Sequence, residues 1–206
     1  MTRRHSKAIL IFGTFNPITN AHINLGIQSR KIIDDSDVIF IPAKDEFLRD
    51  WKGYDKESIL SNRLLLLREV ASDNEFEICE AEINGEVDGK SIHTIEYIKS
   101  KYGYEKVYFC MGTDKVPELH KWYKAEELVG ENYFLVFTRG EMLSDVMDEF
   151  TSQYADRFTQ VVEDEKFYDI SSTNVRNAIK SGNIESIKDS LPDKVYKYLK
   201  GEKYGI

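Results

Sequence analysis

The chain alternates between short apolar runs and longer stretches with helical spacing. Ala8-Ile9-Leu10-Ile11-Phe12 is unbroken and ends at Gly13. A run without alternation predicts a strand covered on both faces, as in a parallel sheet. Val38-Ile39-Phe40-Ile41, stopped by Pro42, predicts a second such strand. Val107-Tyr108-Phe109-Cys110-Met111, running into Gly112, predicts a third, and Tyr133 to Phe137 a fourth. Phe76 to Glu82 alternates as a strand does. Between these runs, Ile23, Ile27 and Ile32, with Leu25 beside them, suit a helix over 22–33. Leu64 to Val70 continue a helix from about Ser61. Ile95, Ile98 and Tyr102 mark one side of a helix from Thr94, ended by Gly103. Residues 43–60 are polar and aromatic and read as a long loop. After Ile170 the pattern is helical, in short pieces, to the end.

Strands and helices that alternate at this length predict an α/β fold with parallel strands and right-handed crossovers. No repeat, low-complexity tract or linker interrupts it. The expectation is one domain over residues 1–206, with 170–206 as a short helical C-terminal extension.

Composition narrows the function. Apolar residues make up 41% and charged residues 31%, enough for a real core. The net charge of -8 gives no general pull on nucleic acid or anionic lipid, so neither is expected as a partner. A polyanionic ligand would need a few placed basic groups. Cys79 and Cys110 have no paired spacing, which suggests a reducing compartment and no zinc site. The basic start, Met1 to Lys7, leads into only five apolar residues, too few for a signal segment or a membrane span. A cytoplasmic location is expected.

Three segments carry candidate chemistry. Gly13-Thr14-Phe15-Asn16-Pro17-Ile18-Thr19-Asn20-Ala21-His22 sits where the first strand gives way to the first helix. That carboxyl edge is where open α/β sheets bind ligands. Gly13 allows a sharp turn that brings backbone N–H groups near a phosphate. Thr19 and His22, three apart, share a helix face and could meet an anion. The alternative is a plain turn with a threonine cap and a surface histidine. In Ile170-Ser171-Ser172-Thr173-Asn174-Val175-Arg176, hydroxyls should cap a helix whose first turn holds Arg176. A cation there opposes the helix dipole by about 0.3–1 kcal/mol, which makes sense if an anion is bound. The alternative is an ordinary capped helix with Arg176 in solvent. Gly112-Thr113-Asp114, followed by Trp122, offers a carboxylate to ribose hydroxyls and an aromatic to a flat ring. Trp122 could equally pack in the core, although its polar neighbours, Glu118 to Tyr123, argue for the surface.

These segments, in this order, resemble the nicotinamide/nicotinate mononucleotide adenylyltransferases of the nucleotidylyltransferase α/β-phosphodiesterase superfamily. Thr138-Arg139 and Leu191-Pro192-Asp193-Lys194-Val195-Tyr196-Lys197-Tyr198-Leu199 add to the likeness, and Gly89-Lys90-Ser91-Ile92-His93-Thr94-Ile95 is a weaker match. The superfamily usually has His-x-x-His with Gly third; this chain has Thr19-Asn20-Ala21-His22. A leading Thr is familiar from the eukaryotic-type mononucleotide enzymes and the pantetheine-phosphate adenylyltransferases.

The resemblance implies a Rossmann-like parallel sheet flanked by helices. It also implies transfer of the adenylyl group of ATP to nicotinate or nicotinamide mononucleotide, with release of pyrophosphate. His22, Thr19 and Arg176 would be catalytic. Gly13, Thr14, Phe15, His22, Gly112, Asp114, Ser171, Ser172, Thr173 and Arg176 would bind ATP. Phe15, Asn16, Lys44, Lys52, Ser91, Thr94, Trp122 and Arg139 would bind the mononucleotide. Lys44, Lys52 and Lys56 are all candidates for a phosphate-binding lysine. Mg²⁺ would be held mainly by ATP phosphates, with no dedicated protein metal site. A homo-oligomer is compatible with the sequence. The rival readings are a related transferase, such as a pantetheine-phosphate adenylyltransferase or a cytidylyltransferase, and a non-catalytic nucleotide-binding regulatory module. The pantetheine enzymes are shorter and usually have Asp in place of Asn16.

Overall fold

The computed structural model describes residues 5–45 and 62–201. Lys52 and Lys56 lie outside them. The strands are β1 (Lys7–Gly13), β2 (Ser36–Pro42), β3 (Glu77–Ile78), β4 (Lys106–Gly112), β5 (Tyr133–Thr138) and β6 (Phe158–Val162). They form one parallel sheet in the order β3-β2-β1-β4-β5-β6. The longer α-helices are α1 (Asn20–Ile32), α2 (Arg63–Asp73), α3 (Ser91–Tyr102), α4 (Ala125–Glu131), α5 (Ser172–Lys180) and α6 (Asp193–Leu199).

The unbroken apolar runs are buried on both faces. Ala8 and Leu10 of β1, with Ile39 and Ile41 of β2, join one core with Ile95 and Ile98 of α3. Ile9 and Ile11, with Val38 and Phe40, join the other with Leu66, Leu67 and Val70 of α2. Val175 of α5, Ile187, Leu191 and Val195 of α6 belong to this second core. The helical C-terminal extension thus packs against one face of the sheet. Gly103 ends α3 in the left-handed region, at φ +71°, as a glycine beyond a helix readily does. Both cysteines are buried and free, and burial pushes the Cys110 thiol up to about 12.

Two strand expectations need correction. Of Phe76 to Glu82, only Glu77 and Ile78 pair, against Ile39 and Phe40. One more bond, from Cys79 N–H to the Phe40 carbonyl at 2.9 Å, continues the edge. The chain then turns, with Glu86 N–H donating to the Ala81 carbonyl and Gly85 at φ +70°. Cys79 and Ala81 still face the core, so the alternation reflects burial without a ladder. Conversely, β6 is absent from the sequence reading. It is a short edge strand whose Thr159 and Gln160 break the apolar run.

Helix α1 also differs in its contacts. Its buried residues are Ala21, Gly26 and Ser29, while Ile32 is 44% exposed. Small residues let this helix approach the sheet closely, a feature that apolar spacing does not reveal. Alanine is the better helix former by about 1 kcal/mol, so an open glycine site would gain from substitution. At Gly26 the added methyl would lie 2.8 Å from Phe76 Cζ and 3.1 Å from Val38 Cγ1. Overpacking costs about 1–3 kcal/mol and should win. Gly26→Ala is expected to lower the urea midpoint of unfolding; a raised midpoint would show that Phe76 moves aside at no cost.

Candidate active site

The site begins where β1 parts from β4. On one side, β1 pairs with β2 as far as Gly13 and Pro42, and Ala43 N–H donates to the Gly13 carbonyl at 2.9 Å. On the other, β1 pairs with β4 only to Ile11 and Cys110. The last two residues of each strand therefore diverge. This is also where the strand order reverses, which is the place such sheets leave a crevice for a ligand.

The β1 loop is held from beneath. The sharp turn expected at Gly13 falls instead at Phe15, whose backbone is left-handed at φ +45°. Gly13 serves to admit the Phe15 ring: a Cβ there would lie 2.9 Å from Phe15 Cε1. Phe15 is fully buried, edge-on to Phe40 and His22 with ring centroids 5.2 Å apart in each pair. Its side chain faces the core, so only its backbone is available to a ligand. Asn16 to Thr19 are buried after it.

Thr19 is the N-cap of α1, and its backbone N–H donates to His22 Nδ1 at 3.1 Å. The Thr19 hydroxyl lies 2.8 Å from the same nitrogen. With Nδ1 accepting, the neutral ring carries its proton on Nε2, where it is a donor. The cap and the anion-binding readings of this motif are therefore compatible. The capping geometry selects the tautomer.

The serine-rich segment comes to the same place. Ser171 caps α5, accepting from Asn174 N–H at 3.1 Å. Ser172 Oγ donates to the Pro17 carbonyl at 2.8 Å, and Arg176 Nη1 to the Asn16 carbonyl at 2.9 Å. Two motifs 155 or more residues apart are thus bonded directly. Arg176 is the fifth residue of α5, not in its first turn, so the dipole argument weakens. Its side chain reaches back toward the helix start, with Nη2 donating to Thr173 Oγ1 at 3.0 Å.

At the end of β4, Gly112 makes room for Asp114, whose Oδ1 would lie 2.7 Å from an added Cβ. The Asp114 carboxylate is 72% exposed beside Lys115. Trp122 is half-buried, not at the surface: it packs on the core edge-on to Phe109, which in turn stacks on Phe12 at 4.6 Å. Ser91 is the first residue of α3. Thr94 is fully buried and spends its hydroxyl on Glu82 Oε1 at 3.0 Å, which hides it from a ligand. Lys44 Cε and Glu82 Oε2 both flank Gly89, 3.9 and 3.8 Å from where its Cβ would be. Arg139 Nε donates to Glu163 at 2.7 Å and Nη1 to the Tyr168 carbonyl at 2.8 Å.

Sequence reasoning missed three residues here: Arg63, Glu82 and Glu163, each almost wholly buried. A lone charge in the leucine-rich stretch Arg63 to Leu67 is the one local signal among them. Among the described residues, no cluster of three or more His, Cys, Asp or Glu could hold a metal. A hydroxyl-rich site whose carboxylates do not cluster is a donor set that suits Mg²⁺ carried by phosphates. Among the same residues, no helix is long and apolar enough to cross a membrane.

A parallel α/β sheet whose β1 and β4 part where the strand order reverses, with the β1 loop bonded there to the start of α5, has the form of the open sheets that bind ligands at their carboxyl edge. The chain belongs to the cytidylyltransferase-like family, whose model matches residues 10–178. It is 27% identical to a probable nicotinate-nucleotide adenylyltransferase of Clostridium tetani, across 97% of this chain and 98% of the relative. A protein of the same name from Caldicellulosiruptor bescii is 30% identical across 94% and 96%. The fold is similar to that of Plasmodium falciparum nicotinic acid mononucleotide adenylyltransferase complexed with NaAD, with a TM-score of 0.69, 17% identity and 96% of both chains covered.

The buried carboxyl of Glu82 makes a measurable signature. Burial pushes it above the usual carboxylate range; the Thr94 hydroxyl and the Lys44 charge act against this, and Asp88 adds to it. In the unfolded chain a glutamate titrates near ~4.3. Between that value and its folded one, the folded state holds the extra proton, so stability is lost as pH rises through the interval. Gln at this position keeps an acceptor for Thr94 and cannot ionise. The stability of Glu82→Gln relative to the parent chain should therefore increase from about pH 4 toward neutrality. A difference that does not change with pH would show that the folded carboxyl is unshifted.

Proposed function

We propose that the protein is a nicotinate-nucleotide adenylyltransferase: it transfers the adenylyl group of ATP to nicotinate mononucleotide, giving deamido-NAD and pyrophosphate. The observation that carries this reading is the direct bonding of the β1 loop to α5, through Ser172 to Pro17 and Arg176 to Asn16. It joins the loop that leads into Thr19 and His22 to the helix start that carries Ser171, Ser172, Thr173 and Arg176. The similarity along nearly the whole chain to relatives of that name supports the same reading.

A phosphate oxygen of the mononucleotide attacks the α-phosphorus of ATP. The new P–O bond forms as the bond to the bridging oxygen breaks, and pyrophosphate leaves with that electron pair. The attacking group is already an oxyanion, so no covalent residue is needed. Catalysis is alignment and stabilisation of charge on the phosphoryl oxygens. His22 donates from Nε2 to an α-phosphate oxygen, and Thr19 fixes the ring. The N–H groups and hydroxyls at the start of α5, with Arg176, hold the outgoing phosphates. Gly112 and Asp114 take the ribose. Trp122 and Ser91 flank the pyridine side, with Lys44 and Arg139 as its cations. Mg²⁺ bound to ATP supplies charge neutralisation.

Turnover with ATP, Mg²⁺ and nicotinate mononucleotide should release pyrophosphate and the dinucleotide. The amide mononucleotide and phosphopantetheine are the rival acceptors; preference for phosphopantetheine would overturn the assignment. His22→Ala should lower kcat by about 10²-fold or more, the scale of one lost preorganised donor, with little change in ATP affinity. If kcat survives and only thermal stability falls, His22 is a cap and nothing more.

A further inference from the structure

Arg63 opens α2, and its side chain is 3% exposed. Nη1 donates to the Thr14 carbonyl at 2.8 Å, and Nη2 to the Ala43 carbonyl at 2.7 Å and to Asp45 Oδ1 at 2.6 Å. Thr14 is the first residue beyond β1, and Ala43 the first beyond β2. The ladder between those strands ends with the bond from Ala43 N–H to Gly13. Beyond it, one planar guanidinium spans both chains and takes the two carbonyls that the ladder no longer reaches. Asp45 balances the charge. Lysine cannot reproduce this, because its donors share one nitrogen and form no fork.

Burying a guanidinium is costly, and Leu66 and Leu67 on the same helix show that apolar side chains fill this region. What the arginine adds is a fixed spacing. One of its carbonyls leads directly into Phe15 and on to Thr19 and His22. The other leads directly into Lys44. We infer that Arg63 is a positioning residue of the reaction, which sets the phosphate-handling β1 loop at a fixed distance from Lys44 without touching substrate. This rests on the adenylyl-transfer reading.

The test is steady-state kinetics of Arg63→Lys and Arg63→Met, with KM measured separately for ATP and nicotinate mononucleotide. Arg68→Lys is the control: Arg68 lies on the same helix but makes an exposed ion pair with Glu80. Folding is followed by circular dichroism and thermal melting. Arg63→Lys should fold and should lower kcat by about tenfold or more, since small misplacements of reacting groups are expensive. Its KM for the mononucleotide should rise more than its KM for ATP, while Arg68→Lys matches the parent. If Arg63→Met fails to fold, Arg63→Lys decides. A folded Arg63→Lys with kcat and both KM values unchanged would overturn the inference, as would losses that merely track the folded fraction. An inactive parent chain would sink the adenylyl-transfer reading and this inference together; an active parent with an unaffected Arg63→Lys sinks this inference alone.

Discussion

The ligand edge depends on the burial of one ring. Phe15 has a left-handed backbone, which costs a residue with a side chain about 1–2 kcal/mol. Full burial of a phenylalanine returns about 1.5–3 kcal/mol, so the ring stays under Gly13 and the strain is tolerated. Once the ring is fixed, the rest of the loop has little freedom. Asn16 to Thr19 are drawn into the interior behind it. The His22 ring rests against the Phe15 edge and is held by Thr19 on the other side. The loop that in the proposed reaction presents N–H groups to a phosphate is thus anchored in the apolar core.

The second constraint is the satisfaction of carbonyls that have left the sheet. Buried backbone acceptors need partners. Those of Thr14 and Ala43, partly buried, go to Arg63, that of Asn16 to Arg176 and that of Pro17 to Ser172. Each bond ties one loop to an element distant in sequence. Thr113 and the Arg139 N–H both bond Glu141, which joins the ends of β4 and β5 in the same way. The carboxyl edge is therefore braced on either side of the β1/β4 crevice. A braced edge spends little on reorganisation when charge develops on a bound phosphoryl group, which is what electrostatic preorganisation requires.

Much of this was legible in the sequence, and the exceptions share a cause. The central strands announce themselves because both faces are buried, so every residue of Val38 to Ile41 is apolar. Edge strands lack that pressure, and β6, with Thr159 and Gln160, leaves no such trace. The β1 and α5 segments stand out because their residue types are chemically unusual for a plain turn. What each residue touches was less visible. Trp122 sits among polar neighbours in sequence, yet Phe109, thirteen positions earlier, half-buries it. Arg63 and Glu163 find partners 18 to 49 and 24 positions away, and such pairings have no local pattern. Local sequence reports the element a residue belongs to; tertiary partners decide what its side chain can do.

An acidic chain that handles polyanions must concentrate its attraction. With a net charge of -8, the long-range field repels ATP, and screening leaves only groups within about a Debye length, ~10 Å, effective at moderate salt. Within the site, Arg63 is balanced by Asp45 and Arg139 by Glu163, so neither contributes a full charge. In the proposed reaction the pull on the triphosphate then falls to Arg176, the N–H groups opening α5 and the partial charge of that helix start. Mg²⁺ travelling with ATP would reduce the charge that these groups must meet. The arrangement favours a correctly seated phosphate over one merely nearby, because each contribution is short in range and directional.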